Sequence, residues 1–239
     1  VFGCDITADN STTYMSFFSQ MDTYGDGYAG IGVWRAAFKP LVDRIADTDI
    51  RLQWFCCDRS TGVTDASGNR ITLIRDTQSP VAVEYQAVKF IGTGRDNIKA
   101  GVFSGWELGD YIYLRSEEAY MIKMEALAHK GSAEAVTELN SFMKTRQPDY
   151  NYTFTNKADL IEEIIYQKRV EFWGEGLEYI DNRRLNIPVD RTDETWGAEN
   201  NNHFSAGKFR YNQEDRPFLY QLPLSEIENN SQLSPSDQN

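Results

Sequence analysis

Residues 110–145 read DYIYLRSEEAYMIKMEALAHKGSAEAVTELNSFMKT. The spacing of this stretch predicts a helix from Tyr111 to Lys130. Asp110 can cap it, because its carboxylate can accept the first free N–H groups. Gly131 can close it in a left-handed conformation, and Ser132 can cap the next helix. On a helical wheel Leu114, Met121, Ile122 and Ala128 fall on one side, and Tyr113, Tyr120, Met124 and Leu127 on the other. A helix apolar on two faces is expected between neighbours rather than on a surface. A second helix, Ser132 to about Thr145, carries Ala135, Val136, Leu139, Phe142 and Met143 at helical spacing. The pair forms a helix–tight turn–helix of about 35 residues, the size of one tetratricopeptide-like unit. Such units bury their faces only by stacking on neighbours.

The same periodicity continues outward. Thr155 or Asn156 can cap a third helix running to Trp173, with Leu160, Ile161, Ile164, Ile165 and Phe172 as its stripe. Gly174 and Gly176 break it, and a fourth helix, Leu177 to Leu185, stops before Pro188. Towards the N-terminus, residues 34–47 predict a short helix interrupted by Pro40. Ile50-Arg51-Leu52-Gln53-Trp54-Phe55 alternates apolar and polar, which predicts a strand. A turn at residues 65–69 leads into a second predicted strand, Arg70 to Ile74. The chain thus divides into a loop-rich part (1–105), a helical part (106–190) and an irregular tail (191–239) expected to pack on the helices. The fold class is mostly α: tetratricopeptide-like helix pairs with long loops and a few short strands.

The 239 residues carry 24 Lys and Arg against 36 Asp and Glu, a net charge of −12, which excludes a basic nucleic-acid footprint. With 13 Tyr, 13 Phe and 5 Trp the chain is not of disordered composition. No stretch approaches the ~18–20 apolar residues of a membrane-spanning helix. Cys4, Cys56 and Cys57 form neither a disulfide framework nor a zinc pattern. The adjacent pair reads as two ordinary thiols or a vicinal disulfide, and Cys4 as an ordinary or a lipid-modified cysteine. No G-x-S-x-G elbow or nucleotide-binding glycine loop is present, and His129 and His203 sit in no triad or metal spacing. Neither a cofactor nor a metal is therefore expected. Asp22-Thr23-Tyr24-Gly25-Asp26-Gly27 reads as a tight turn; it lacks the ligand set and closing Glu of a calcium loop.

Charges on apolar stripes are the first chemical clue. Glu118 and Glu125 lie on the stripe of Leu114 and Ile122, and Glu171 lies beside Leu160 and Ile164. A bare buried carboxylate is too costly, so each must be paired, protonated or facing a cavity. Two readings are open. The acids form a buried ion-pair network with arginines such as Arg115, Arg169, Arg183 and Arg184, or they form a catalytic carboxylate pair of the kind glycosidases use. The second clue is the aromatic group Tyr14, Phe17, Phe18, Tyr24, Tyr28 and Trp34, interleaved with Gly, Asp, Ser, Thr and Gln. Flat rings on loops can stack on the C–H faces of sugars while polar neighbours take the hydroxyls; alternatively the rings pack the loops onto the helices.

Several motifs resemble one known family. Residues 114–127 (LRSEEAYMIKMEAL) resemble the "LRLAEVYLLYAEAL" helix of the SusD/RagB family. Leu139-Asn140 through Arg146 is similar to its "LN…R" segment, and residues 167–184 (QKRVEFWGEGLEYIDNRR) to its "ERRVELAFEGHRWFDLRR". The ending, from Leu222-Pro223-Leu224-Ser225-Glu226-Ile227 to Gln238-Asn239, resembles "IPxxEIxxNPxLxQN", and Asp49-Ile50-Arg51 resembles the "DxR" before its central strand. Gln167, Leu177, Glu178 and Ser231 depart from the pattern, whereas Glu171, Gly176, Asp181 and Arg184 keep it.

The resemblance implies that residues 1–239 are the C-terminal half of a protein about twice as long, forming one domain. It implies a surface-exposed outer-membrane lipoprotein held by a lipid anchor on a preceding half. Such a protein binds an oligosaccharide or other nutrient without catalysis and works with a SusC-like TonB-dependent transporter. The family supplies no common ligand residues, so the site expectation rests on the rings Tyr14, Tyr24, Tyr28 and Trp34. Arg115, Glu118, Glu125, Arg169, Glu171, Asp181 and Arg184 are expected as structural ion pairs. A glycoside hydrolase using two of Glu118, Glu125, Glu171 and Glu175, or a protein-binding helical scaffold, are the alternatives.

Overall fold

The computed structural model describes residues 2–7, 9–10, 15–23, 27–30, 32–62, 67, 83–90, 109–216 and 219–237. The chain forms two compact units, Val1–Gly174 and Glu175–Asn239. In chain order the first unit contains β1 (Phe2–Cys4), α1 (Phe17–Met21), α2 (Lys39–Asp43), β2 (Phe55–Cys56), β3 (Gln86–Ala87), β4 (Tyr111–Leu114), α3 (Ser116–His129), α4 (Glu134–Met143) and α5 (Lys157–Glu171). The second contains α6 (Leu177–Leu185), β5 (Val189–Asp190), α7 (Asp193–Trp196), β6 (Arg210–Tyr211) and α8 (Leu224–Asn229). Helices dominate, and the strands form only two-stranded pairs among the described residues.

Helices α3, α4 and α5 pack together, and the reasons are local. Gly131 takes φ +73° after α3. Its N–H donates to Ala128 O at 2.9 Å and that of Ser132 to Leu127 O at 3.0 Å. These two bonds make a Schellman turn, satisfying carbonyls that α3 leaves open. Ser132 Oγ then accepts from Glu134 N at 3.3 Å to start α4. At α5, Asn156 Oδ1 accepts from Asp159 N at 3.0 Å. The far end of α5 is closed by Lys89, whose Nζ donates to Glu171 O at 2.8 Å and Trp173 O at 3.0 Å. Met121, Met124, Leu139, Met143, Leu160 and Ile164 fill the space between the three helices. Each buried side chain of this size contributes about 1.5–3 kcal/mol.

The structure corrects three local expectations. Tyr111–Leu114 is a strand, not the first turn of α3, and pairs antiparallel with β1 in the register Gly3↔Ile112 and Cys4↔Tyr111. Its Tyr-Ile-Tyr-Leu composition suits a strand, and a partner was available far back in the chain. Ile50–Trp54 is a 3-10 helix, not a strand. Asp49 Oδ1 accepts from Arg51 N at 2.9 Å, and this cap turns the backbone. The predicted helix over 34–47 shortens to α2, because residues 35–37 are extended: Ala37 N donates to Tyr85 O and Ala87 N to Arg35 O. The predicted strand at 70–74 and all but Ser67 of the turn at 65–69 lie outside the described residues.

Helix α3 buries one face only. Its buried residues, Met121, Met124, Glu125 and Ala128, follow the i, i+3, i+4, i+7 pattern of a single stripe. Tyr120 and Ile122 remain exposed, as do Tyr113 and Leu114 before them. A second cluster joins the loop-rich segment to α5: Val42, Ile45, Leu52 and Phe55 pack with Tyr166 and Val170. The Phe55 ring meets Trp173 edge-on at 5.6 Å.

In the second unit, α6 starts after Gly176 (φ +85°) and ends on left-handed Asn186 (φ +55°). Strands β5 and β6 pair through Val189↔Tyr211 and Asp190↔Arg210. The Asp190 carboxylate accepts from Thr192 Oγ1 at 2.8 Å, Thr195 Oγ1 at 2.7 Å and Arg210 Nη1 at 2.5 Å, tying the pair to α7.

Candidate functional site

The acidic residues come first, because their environment decides what chemistry they can perform. Glu171, at the end of α5, is 1% exposed. Arg115 Nη1 donates to its Oε1 at 2.8 Å. Arg146 donates through Nη2 to Oε1 at 3.0 Å and through Nε to Oε2 at 3.1 Å. Arg51 Nη1 stands 3.5 Å from Oε2. Arg51 also holds Asp49, with Nη2 at 2.7 Å from Oδ2, and donates to Gln167 Oε1. Burial pushes the Glu171 carboxyl up, but the hydrogen bonds and charge of Arg146, the charge of Arg51 and the Arg115 bond outweigh it and hold the pKa at about 2. A carboxylate so held is ionised at neutral pH and has both oxygens occupied. It cannot act there as a general acid, which must carry a proton.

The other predicted ionic residues are placed individually. Asp181 accepts from Arg184 Nε at 2.8 Å, one turn along α6. Glu125 is buried, with Oε1 3.7 Å from His129 Nε2. Glu118 is half-buried, and no ion pair of it is found among the described residues. Arg169 and Glu175 are half-buried. The Glu171 cluster thus joins Arg115 to two arginines that the sequence reading did not pair with it, Arg51 and Arg146. Their signal was present: Arg51 ends the "DxR" segment and Arg146 the "LN…R" segment.

Of the predicted ligand-facing rings, Tyr14 and Tyr24 lie outside the described residues. Tyr28 and Trp34 are 40% and 42% exposed. Their loop is tied down. Ala29 N donates to Ser19 O at 2.9 Å, Tyr28 N to Ser19 Oγ at 3.3 Å, and Val33 N to Tyr28 O at 3.0 Å. Gly27 sits so close to α1 that a Cβ would stand 2.5 Å from Ser19 Cα. Arg35, next to Trp34, donates to Gln20 Oε1 at 3.0 Å. Phe17 and Phe18 have a different role. They meet edge-on at 5.4 Å, and Phe17 continues to Phe90 at 4.9 Å and Tyr111 at 5.0 Å. The sequence cluster therefore separates into packing rings on α1 and exposed rings on the loop after it.

Among the described residues no group of His, Cys, Asp and Glu is positioned to hold a metal. Asp22 is buried, Thr23 Oγ1 donates to Ala87 O at 2.9 Å, and Tyr24-Gly25-Asp26 lie outside the described residues. Cys56 and Cys57 are buried and Cys4 is half-buried, and none of the three is in a disulfide. No helix of the described residues is long and apolar enough to cross a membrane.

The SusD family model matches residues 85–239. The chain belongs to the SusD family. Two solved structures are similar to this SusD-family chain. One is a SusD-like carbohydrate binding protein from Bacteroides vulgatus ATCC 8482, with TM-score 0.65 and 21% identity, covering 97% of this chain and 47% of that one. The other, from the same strain, is described provisionally as sugar binding; its TM-score is 0.60 and its identity 19%, over 100% of this chain and 45% of that one. At these identities the likeness shows the fold. The chain spans about half the length of both structures. No curated protein matches it.

Proposed function

We propose that this SusD-family chain is a non-catalytic glycan-binding part of an outer-membrane nutrient-uptake system, partnered by a SusC-like TonB-dependent transporter. In this reading residues 1–239 act as one functional domain, with residues 1–105 facing the ligand. The observation that carries it is the exposure of Tyr28 and Trp34 on a loop anchored to α1 by Ser19. Exposed rings on a backbone tied to α1, with the Arg35–Gln20 pair next to Trp34 in the chain, would offer stacking faces and hydrogen-bonding groups together. By analogy with aromatic pairs, each ring–sugar stack contributes a few kcal/mol at most. A few of them give micromolar to millimolar affinity, which permits release to a transporter. The descriptions of both similar structures as sugar-binding proteins support the reading. So does the Arg-saturated state of Glu171, which argues against the hydrolase alternative.

The test is a glycan-panel titration of the chain and of its Tyr28→Ala, Trp34→Ala double variant, with product analysis of every polysaccharide offered. Binding weakened about tenfold or more in the double variant and no released sugar supports the proposal. Unchanged binding, or sugar release that disappears in Glu171→Gln, overturns it.

A further inference from the structure

A cavity of about 450 Å³ lies within the first unit, using neither Tyr28 nor Trp34. It opens to solvent and is lined by the turn after α2 (Arg44 to Asp49), the connection from α4 to α5 (Gln147 to Tyr152) and residues 163–167 of α5. Its volume falls in the range of small-molecule sites. At about 30 Å³ per water it equals roughly fifteen waters, enough for one or two sugar rings.

The walls are held before any ligand arrives. Ile50 N donates to Arg146 O at 2.9 Å, and Thr48 Oγ1 to Asp149 Oδ1 at 2.6 Å. Asn140 grips the Tyr152 backbone from both sides, accepting from its N–H at 2.7 Å and donating to its carbonyl at 3.0 Å. Such pre-organisation lowers the ordering cost of binding.

The lining chemistry selects the ligand. Glu163 accepts from Arg44 Nη2 at 2.6 Å, Tyr150 OH at 2.9 Å and Gln167 Nε2 at 2.7 Å. The Arg44 guanidinium lies 3.8 Å from the centre of the Tyr166 ring. Asp149 and Asn151 are exposed, adding a carboxylate and an amide. An anionic ligand would face the carboxylates of Asp49, Glu163 and Asp149. Glu163 is neutralised by Arg44 and Asp49 by Arg51 within the wall, so a cation would have to compete with those guanidinium groups, whereas a neutral molecule leaves both pairs intact. The exposed Asp149 carboxylate and Asn151 amide can bond its hydroxyls. We propose that this cavity is a second, independent site for one or two rings of a neutral sugar.

The experiment is an NMR titration of the chain with glucose, galactose, N-acetylglucosamine and their disaccharides. It compares the natural sequence, Asp149→Ala/Asn151→Ala and Trp34→Ala. Both altered positions of the double variant are exposed, and circular dichroism checks its fold. The expected result is sugar-dependent shifts at the amides of Tyr150 to Tyr152, binding weakened about tenfold or more in the double variant, and little change in Trp34→Ala. No shift at Tyr150 to Tyr152 with any sugar overturns the cavity proposal. Binding lost only in Trp34→Ala also overturns it, while leaving the reading of the exposed rings intact.

Discussion

Arg146 grips Glu171 side-on, with Nε 3.1 Å from Oε2 and Nη2 3.0 Å from Oε1. This fork joins the end of the α4 segment to the end of α5, and Arg115 enters the same carboxylate from the strand before α3. One acid therefore ties together the three helices that carry the first unit. Removing one member of a buried pair leaves its partner's charge uncompensated, at a cost of about 3–5 kcal/mol. Glu171→Ala is expected to lower unfolding stability by that amount in urea denaturation. A loss below about 1 kcal/mol would mean that the arginines find other partners.

The same pair sets an acid limit. Glu171 has a folded pKa of about 2, below the ordinary 4.5 of the free side chain. A depressed carboxyl stabilises the fold above its unfolded pKa and loses that contribution as pH falls through the folded value. The contribution is about 3 kcal/mol, present at neutral pH and lost between pH about 4.5 and about 2. Stability measured from neutral pH downward should fall through that window, and Glu171→Gln should flatten the slope there. An equal slope in both proteins would assign the acid sensitivity to other groups.

How much of this was legible in the sequence varies with the range of the interaction. Helices α4 and α5 were readable because their signals are local: an apolar stripe and a cap at Asn156. Tyr111–Leu114 misled because its partner, β1, lies more than a hundred residues earlier, and pairing overrode a weak helical preference. Ile50–Phe55 misled because alternation assumed Arg51 pointed to water; it is 1% exposed, against Asp49 and Glu171. Glu171 was recognised as needing arginines, but Arg51 reaches it across 120 residues of chain, which no spacing rule encodes. In the ring cluster, only the fold could separate Phe17 and Phe18 from the exposed Tyr28 and Trp34.

Gly27 provides a test of the ring loop. A methyl group there would press on Ser19 at 2.5 Å from its Cα. Overpacking of this kind costs about 1–3 kcal/mol. Gly27→Ala should lower stability within that range and weaken any ligand contact made by Tyr28, measured by denaturation and titration of one sample. Unchanged stability would show that α1 and the loop separate freely.

Asn156 tests the start of α5. Its side chain accepts the Asp159 N–H at 3.0 Å, one of the bonds the first helical turn otherwise lacks. Asn156→Ala should cost about 1 kcal/mol, whereas Asn156→Asp, which retains an acceptor, should cost much less. Equal losses in the two variants would place the effect elsewhere.

The central claim is that a rigid, arginine-clamped helical unit leaves recognition to the rings on the loop after α1. Isothermal titration of the best-binding glycan into the natural chain and into the folded Tyr28→Ala, Trp34→Ala variant tests it most directly. The account predicts saturable binding to the first and binding weakened about tenfold or more to the second, with any residual binding confined to the cavity. Equal affinity for both would contradict it.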